Sequence, residues 1–481
     1  MDRGYVGTMR RILPLFAALA VLAAPAGALT VDEAVKQARE HNLGMAVEDL
    51  KLAQKKDEKD YSYNRLYPSL DVSSTVLRLN QLNLDQWEEV WPYIANVNTA
   101  TGQPYVPFSA LSSALGDESN HWLLSLGVKV QWILNPAVFR GIAQTLVDYK
   151  NAALSRDAAA SKLDRDVRKA FYQLLALHAA TDVFQSQLSV AADRYRVAKA
   201  NADAGLGSEI ASLQAQVAFE NRKPALADQQ VNETNAQSGF RLLLNVPEGT
   251  DLNLEGTLDV NPAVKDVLKD IDVDALVQRY LEGRWDVETA KGAEASLRNI
   301  AQLEADSLWP TFILGWSADP SVQAPFNSST WTDPSLSKYN WAQTNGALSF
   351  TLDWKLDSFI PGSTTGVEIK GRERTAEQAR LNVEQARRAG ENEIRSLVGQ
   401  LKKSAQSLDG LALALSLAEK SDKLTQNGYQ AGTQSFTDAQ DADLQLQTAR
   451  LQYLNEELAL QSTLADLDYA LAADRKEWLH G

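Results

Sequence analysis

Ser125-Leu126-Gly127-Val128-Lys129-Val130-Gln131-Trp132 alternates without a break, apolar side chains on one face and small or polar ones on the other. A period of two is the mark of a strand with unlike faces. Leu348-Ser349-Phe350-Thr351-Leu352-Asp353-Trp354-Lys355 repeats the pattern, and Leu70 with Val72, and Phe312, Leu314 and Trp316, carry it less cleanly. The predicted strands span about 69–79, 123–134, 311–318 and 346–356.

Two kinds of sheet share this alternation. A soluble antiparallel sheet buries its apolar face, whereas a membrane wall turns it to lipid. The long polar connections Asn80–His121 and Ala318–Asn345 are unlike the tight turns of ordinary hairpins. Trp122, Trp309, Trp341 and Trp354 lie near strand ends, where an interfacial girdle would place them. Four strands are too few to close a membrane barrel, which needs about eight. Open edges are not tolerated in lipid, so a lipid-facing wall requires several copies to share one barrel.

Past Pro136 no proline or glycine except Gly141 occurs until Gly205. Ile142, Leu146, Tyr149 and Ala153, then Ala160, Leu163, Val167, Ala170, Leu174 and Leu177, then Phe184, Leu188, Ala191, Tyr195 and Ala198 step by three and four. Only Arg156 and Thr181 interrupt. An average of 3.5 predicts a helix that supercoils against neighbours, on the order of 100 Å long at 1.5 Å per residue. Leu446, Ala449, Tyr453, Leu460, Leu464, Leu467 and Leu471 keep similar spacing further on. The predicted long helices are about 137–204, 208–245, 367–430 and 436–477.

The order of elements occurs twice. Val31-Asp32-Glu33-Ala34-Val35 leads to Leu66-Tyr67-Pro68-Ser69-Leu70, and Val273-Asp274-Ala275-Leu276-Val277 leads to Leu308-Trp309-Pro310-Thr311-Phe312. The offset is 242 residues at both ends, from Val31 to Val273 and from Pro68 to Pro310. Gly205 and Gly432 then interrupt the helices, followed by Ser208 and Ser435. Two structural repeats, 29–260 and 261–481, account for the pattern.

Arg10 and Arg11, the apolar run Ile12–Ala24 and Ala26-Gly27-Ala28 compose a secretory signal over residues 1–28, with the mature chain starting at Leu29. No later stretch approaches the ~20 apolar residues of a spanning helix. The 481 residues include no cysteine, which excludes disulfides, thiolate metal sites and an N-terminal lipoprotein anchor. A net charge of −15 argues against a nucleic-acid partner. His41, His121, His178 and His480 lack metal-ligand spacing. Gly205-Leu206-Gly207 sits between helices and lacks the third glycine of a dinucleotide loop. There is no G-x-S-x-G and no Walker A. The expectation is not an enzyme, with no cofactor and no metal.

Several segments carry a resemblance to a known family: Leu29-Thr30-Val31-Asp32-Glu33-Ala34 with Asn42, Leu66-Tyr67-Pro68-Ser69-Leu70, Ala204-Gly205-Leu206-Gly207-Ser208, and Gly428-Tyr429-Gln430-Ala431-Gly432-Thr433. In their order and duplication they resemble the TolC family of outer-membrane efflux proteins. The resemblance implies a homotrimer, a twelve-stranded barrel built from four strands per subunit, and a periplasmic tunnel of long helices. It implies a passive exit duct of a tripartite efflux or type I secretion system in a Gram-negative-type outer membrane. Partners would be outer-membrane lipid, a periplasmic adaptor and an inner-membrane pump of RND or ABC type. The alternative is a soluble periplasmic coiled-coil scaffold without a barrel.

The resemblance also assigns roles. Asp438 and Asp441 match a pore constriction. They are three apart and share a helix face, where threefold symmetry would stack them as acidic rings that select cations. Asp near a helix N-terminus is equally what the macrodipole favours. Tyr429 and Gln434 fall at the periplasmic gate, and Gly205, Leu206, Gly432 and Thr433 at tip turns where an adaptor would dock. The turn glycines also serve as plain helix C-caps. Gln434 and Ala211 replace the arginine and acidic partner that the family pattern has there, so that lock is expected to be missing. Lipid-facing positions would be Leu126, Val128, Val130, Trp132, Phe312, Leu314, Trp316, Leu348, Phe350, Leu352 and Trp354.

Overall fold

The computed structural model describes residues 28–78, 122–260, 262–318, 321–324, 346–356, 360, 362–431 and 433–479. The signal segment, except for Ala28, and the two long strand connections, except for Ala318 and 321–324, lie outside them. The described chain is mainly helical with a small antiparallel sheet. Helices α1 (Val31–His41) and α2 (Leu43–Asp60) lead to β1 (Ser69–Arg78) and β2 (Trp122–Leu134). Two long helices follow, α3 (Pro136–Asp203) and α4 (Glu209–Leu244). Short helices α5 (Pro262–Asp270) and α6 (Val273–Tyr280) precede α7 (Trp285–Asp306). Then come β3 (Thr311–Ala318), β4 (Ser321–Ala324), β5 (Gly346–Asp353), the long α8 (Thr364–Gln430) and α9 (Phe436–Leu471), and α10 (Arg475–Leu479).

The chain divides into two compact units, each drawing residues from both of the expected repeats 29–260 and 261–481. One comprises Met1–Leu50, Ser155–Glu288 and Ala386–Gly481; the other, Lys51–Leu154 and Thr289–Gln385.

In the first unit, each short-helix segment covers a long-helix pair. Thr30 caps α1 through a capping box: its hydroxyl accepts from Glu33 N at 3.4 Å, and Glu33 Oε2 accepts from Thr30 N at 2.9 Å. Ala34, Val35, Ala38 and Met45 then pack with Val167, Phe171, Leu174, Phe240 and Leu244. In the other half, Asp272 caps α6, and Leu268 and Leu276 pack with Ile394, Val398, Leu401, Leu460, Leu464 and Leu467.

The two halves close on corresponding contacts. Asn42 Nδ2 donates to Leu243 O at 2.9 Å, and Arg284, 242 residues beyond Asn42, donates from Nη1 to Ala470 O at 3.1 Å. Asn245 (φ 53°) ends α4, and Ala472 (φ 50°), 227 residues later, ends α9. The left-handed cap at Ala472 replaces the helix expected to run on to 477. An alanine gives no warning of such a cap, which costs it roughly 1 kcal/mol relative to glycine.

The seam predicted for α3 is only partly interior. Ala160, Leu163, Val167, Leu174 and Ala198 are buried, but Leu146 is exposed, and Phe171 rather than Ala170 fills the core. Both interruptions have partners. Arg156 pairs with Asp49, and Thr181 donates to Glu233 at 2.6 Å. Phe171 meets Phe240 edge-on at 6.2 Å, and Gly256 lies so close that a Cβ there would sit 3.2 Å from the Phe171 ring.

The second unit holds the sheet, in the order β1-β2-β3-β5 with β4 also pairing β2. Every pairing is antiparallel. Asn135 links sheet to helix: Oδ1 accepts from Ala137 N at 2.7 Å at the start of α3, while Nδ2 donates to Trp309 O at 2.9 Å. Sequence alternation did not reveal β4, which is four residues long and lies within a polar connection.

Phe171→Ala should destabilise the first unit by about 3–5 kcal/mol. Thermal melts followed by circular dichroism, compared with the exposed control Leu146→Ala, measure this.

Candidate functional site

The strand register assembles the alternating side chains into rows. Leu70 pairs Val130, Val130 pairs Trp316 and Trp316 pairs Leu348, a row four strands wide. Trp132, Leu314 and Phe350 form the next row, and Leu134, Phe312 and Leu352 the one after. Val128 faces Val72. On β3 exposure alternates with the pleat from Phe312 to Ser317: Phe312, Leu314 and Trp316 are exposed, Ile313 and Ser317 half-buried and Gly315 buried, while Ala318, on the apolar face opposite Val128, is buried at the strand end. On β5 Leu348 is 75% exposed and Phe350 70%. Val128 and Val130 are half-buried, Trp132 and Trp354 exposed. Leu126 shares the face by register, opposite Ser74; its side chain lies outside the described residues.

The opposite face is polar over most of its length. Asp71 pairs Lys129, Ser69 pairs Gln131, Gln131 pairs Gly315, and Gly315 pairs Ser349. Ile133 and Ile313 pair there toward the helix end. A sheet that buried its apolar face would show the reverse exposure. Here contiguous aromatic and aliphatic side chains lie open, an arrangement that marks an interaction surface. Cross-strand contact such as Phe312 with Phe350, centroids 6.3 Å apart, holds the face together.

The helical tips close by one scheme used twice. Leu206 N and Gly207 N both donate to Asn201 O, at 2.8 and 3.0 Å; Thr433 N and Gln434 N both donate to Gly428 O, at 2.8 and 3.2 Å. Gly205 takes φ 71°, the left-handed region that favours glycine. Gly432 lies outside the described residues. A Cβ at Gly428 would come within 2.6 Å of Gln434 Cγ, so the glycine lets the Gln434 side chain lie against the turn. Leu206 projects from its turn, 82% exposed.

Asp438 is engaged as a cap. Its Oδ2 accepts from Ser435 Oγ at 2.7 Å and Ser435 N at 3.1 Å, and Asp438 N donates to Ser435 Oγ at 3.1 Å. These bonds from the Ser435 hydroxyl and backbone hold its carboxyl below the usual range. Asp441 is exposed one turn on. Tyr429 lies edge-on to Phe436 with centroids 6.1 Å apart, and Gln434 is exposed beside them. Neither Gln434 nor Ala211 carries a charge, so no ion pair can form between these two positions, and the tip is held by aromatic and backbone contacts instead.

A buried charged cluster escaped the sequence reading. Asp443 Oδ2 accepts from Gln447 Nε2 at 2.7 Å and lies 3.7 Å from both Arg194 Nη1 and Arg222 Nη2. Arg222 Nη1 also donates to Gln187 at 2.9 Å and to Gln447 at 2.8 Å. The cluster joins α3, α4 and α9. Burial pushes the Asp443 carboxyl up, while the Arg194 and Arg222 guanidiniums pull it back. The sequence held a signal: Ala439, Asp443, Leu446, Arg450 and Tyr453 step by four and three, so Asp443 stands at a seam position. A polar residue there specifies register at some cost in stability.

A cleft of about 1030 Å³ in the first unit is lined by Arg39, Arg156, Asp164, Arg168, Asp468 and Arg475 among others. These charges are satisfied within the fold, Arg39 by Asp164, Arg156 by Asp49, Arg168 by Asp32 and Arg475 by Asp468. The arginines of this cleft are therefore already committed to carboxylates of the same chain. Among the described residues no cluster of His, Asp or Glu could hold a metal ion, and no helix is long and apolar enough to cross a membrane.

Residues 276–473 match the profile of a family described as outer membrane efflux protein. No curated protein matches the chain significantly by sequence. Solved structures do. The outer membrane protein VceC of Vibrio cholerae superposes with a TM-score of 0.65 at 14% identity, over 92% of this chain and 96% of that one. The CmeC outer membrane channel of Campylobacter jejuni gives 0.68 at 12%, over 92% and 85%. The MtrE outer membrane channel of Neisseria gonorrhoeae gives 0.64 at 16%, over 92% and 89%. At such identities the likeness carries the fold.

Arg222→Ala should cost about 1–3 kcal/mol, because it removes one of the guanidiniums around the buried Asp443 and leaves Gln187 and Gln447 without their shared donor. Arg222→Met with Asp443→Leu should recover most of that loss in the same melts.

Proposed function

We propose that this chain, a member of the outer membrane efflux protein family, is the outer-membrane exit duct of a tripartite exporter. The observation that carries this reading is the sheet: an exposed apolar face four strands wide, a polar reverse face, and β1 and β5 as outer strands. In lipid the outward rows of Val130, Trp316 and Leu348 are solvated, while Asp71, Lys129 and Gln131 face a water-filled lumen. The outer edges require partners, since unpaired backbone in hydrocarbon costs several kcal/mol per group. Three copies would supply twelve strands, within the range of membrane barrels. The soluble scaffold finds no support, because it gives this face nothing to cover it.

The long helices carry the lumen into the periplasm. An adaptor would meet the tip turns at Leu206 and Thr433, and an inner-membrane pump would deliver the cargo. Asp438 and Asp441 form the constriction on this reading, with Tyr429 and Gln434 beside it. Asp438 can do so while capping α9, since only one of its oxygens is used by Ser435.

Purified in detergent, the protein should have the mass of three chains and should form cation-preferring pores in planar bilayers. A monomer that conducts nothing would overturn the reading. Asp438→Ala with Asp441→Ala should raise conductance and weaken cation preference; unchanged selectivity would remove both from the pore. Because its bonds depress the Asp438 pKa, that carboxylate keeps its charge as pH falls through ~4, where an ordinary aspartate loses it. Cation preference in Asp441→Ala, where Asp438 is the remaining carboxylate of the pair, should therefore persist as pH falls through that range.

A further inference from the structure

Within the first unit, residues 252–260 form a strap that runs from the core of one half to the core of the other. Leu29 is bridged to Leu254, with Leu29 N donating to Asn253 O at 2.6 Å and Glu255 N to Leu29 O at 2.9 Å. Leu252 and Leu254 pack on the core of the first half, and Gly256 lies on Phe171. Leu258 and Val260 are buried, Val260 in the core of the second half. Asp259, between them, pairs with Lys265 of α5 at 3.1 Å. A side chain of α9 holds the strap by its backbone: Gln461 Nε2 donates to Leu258 O at 3.1 Å.

Next to that bond α9 buries a carboxyl. Glu457 lies one turn before Gln461 on the same helix face and is only 5% exposed. The nearby cations of α5 are engaged elsewhere, Lys265 with Asp259 and Lys269 with Asp409 of α8. On α9 itself the Tyr453 hydroxyl hydrogen-bonds Glu457. Tyr453 is pushed up to about 12, by burial first and then by Glu457, so it keeps its proton and stays a donor. An ionised Glu457 would be a buried anion beside Asp259 without an ion pair of its own, which is costly. Burial pushes its carboxyl up, the Tyr453 hydroxyl pulls it back, Asp259 pushes it up again and Lys265 pulls it back, and the balance stays raised.

A second observation points to the same proton. Among the described residues Gln461 Oε1 is buried with no hydrogen-bond partner, and a buried acceptor left open in a native fold needs an explanation. Helical side chains lean toward the N-terminus, so Gln461 reaches back over the turn of Glu457. A carboxylate has no proton to give it, whereas a neutral carboxylic acid has one O–H. We propose that Glu457 is kept as a neutral acid that donates to Gln461 Oε1, and that this bond is a proton-operated latch on the strap. The donors then run one way, from Tyr453 to Glu457, from Glu457 to Gln461 and from Gln461 to Leu258 O. Loss of the proton reverses the middle step: the carboxylate accepts, the Gln461 amide turns its Nε2 toward it, and Leu258 O loses its donor. The latched fold binds the proton more tightly than a solvated side chain does. The strap is therefore held at low pH and released as pH rises from the ordinary glutamate value of ~4.3 through the raised one.

Hydrogen exchange of the full chain in detergent, read by mass spectrometry on peptides covering 252–260 and expressed against intrinsic exchange rates, tests the latch. Protection of the strap should fall several-fold as pH rises above ~4.3. Glu457→Gln, whose amide donates to Gln461 and accepts from Tyr453 at every pH, should keep its protection throughout. Tyr453→Phe removes a hydrogen bond that favours the ionised form, so its loss of protection should come at higher pH than in the wild type. Infrared spectra of the wild type should contain a carboxylic-acid band, absent from Glu457→Gln, that disappears over the same pH range as the protection. Wild type and Glu457→Gln with one pH profile and no difference in that band overturn the latch. So does a Tyr453→Phe profile that is unshifted or moves to lower pH, a comparison that decides the matter even where Glu457→Gln does not fold.

Discussion

Backbone at the two sides of the sheet is the constraint on which the rest of the molecule depends. β1 and β5 end the strand path, and each carries a row of N–H and C=O groups facing away from its one neighbour. In water such an edge invites uncontrolled pairing; in hydrocarbon it is not viable without a partner strand. The alternating apolar face leaves the sheet no refuge inside its own unit, because Leu348, Phe350 and Trp316 point outward, not into a core. A closed multi-copy wall satisfies the edges and the apolar face together. Neither a larger core nor a longer strand in one chain would do so.

The helices answer a related problem. A helix of 68 residues cannot be stabilised by propensity alone and needs continuous lateral packing. The first unit supplies it in layers. Near the short helices, packing is apolar, with Phe171 and Phe240 in one half and Leu460, Leu464 and Leu467 in the other. Toward the tips the seam changes character, and Asp443, Arg194, Arg222, Gln187 and Gln447 replace aliphatic side chains. Such a cluster adds less stability than a hydrophobic plug of equal volume, but it tolerates only one register. Fixing the level of one hairpin against the other is what a paired turn scheme at Asn201 and Gly428 requires.

How much of this the sequence disclosed follows from which physics is local. The strand faces were legible because the pleat repeats every two residues, and Leu126 through Trp132 obey it without exception. The long helices were legible for the matching reason, at 3.5. Element ends were less so. Gly205 announced a turn because left-handed backbone favours glycine, whereas Ala472 adopts the same conformation with no such residue, held by its bonds to Asp468 O and Tyr469 O. Phe171 could not be ranked above Ala170 from spacing alone, since the choice is made by Phe240 and Gly256, distant in sequence. The charged cluster was half visible: Asp443 interrupts a seam, but its partners on α3 and α4 carry no pattern that points to it.

Two positions 242 residues apart do one job with unlike residues. Asn42 and Arg284 each send a donor to the carbonyl near the end of a long helix, Leu243 O or Ala470 O. Asparagine does this as a neutral group that also accepts from Gly44 N at 2.8 Å. Arginine brings a charge that burial would penalise, and the second half offsets it with Asp286 in a two-point contact and with Glu393. Desolvation pulls the Arg284 pKa down, and the bonds from these carboxylates more than offset it, leaving it raised. Gly390 makes room, for a Cβ there would sit 2.6 Å from Arg284 Nε. One structural task, terminating a long helix against a short one, thus has a neutral solution and an ionic solution in the same chain. The ionic one binds α7, α8 and α9 through a single side chain, so the second half depends on Arg284 more than the first depends on Asn42.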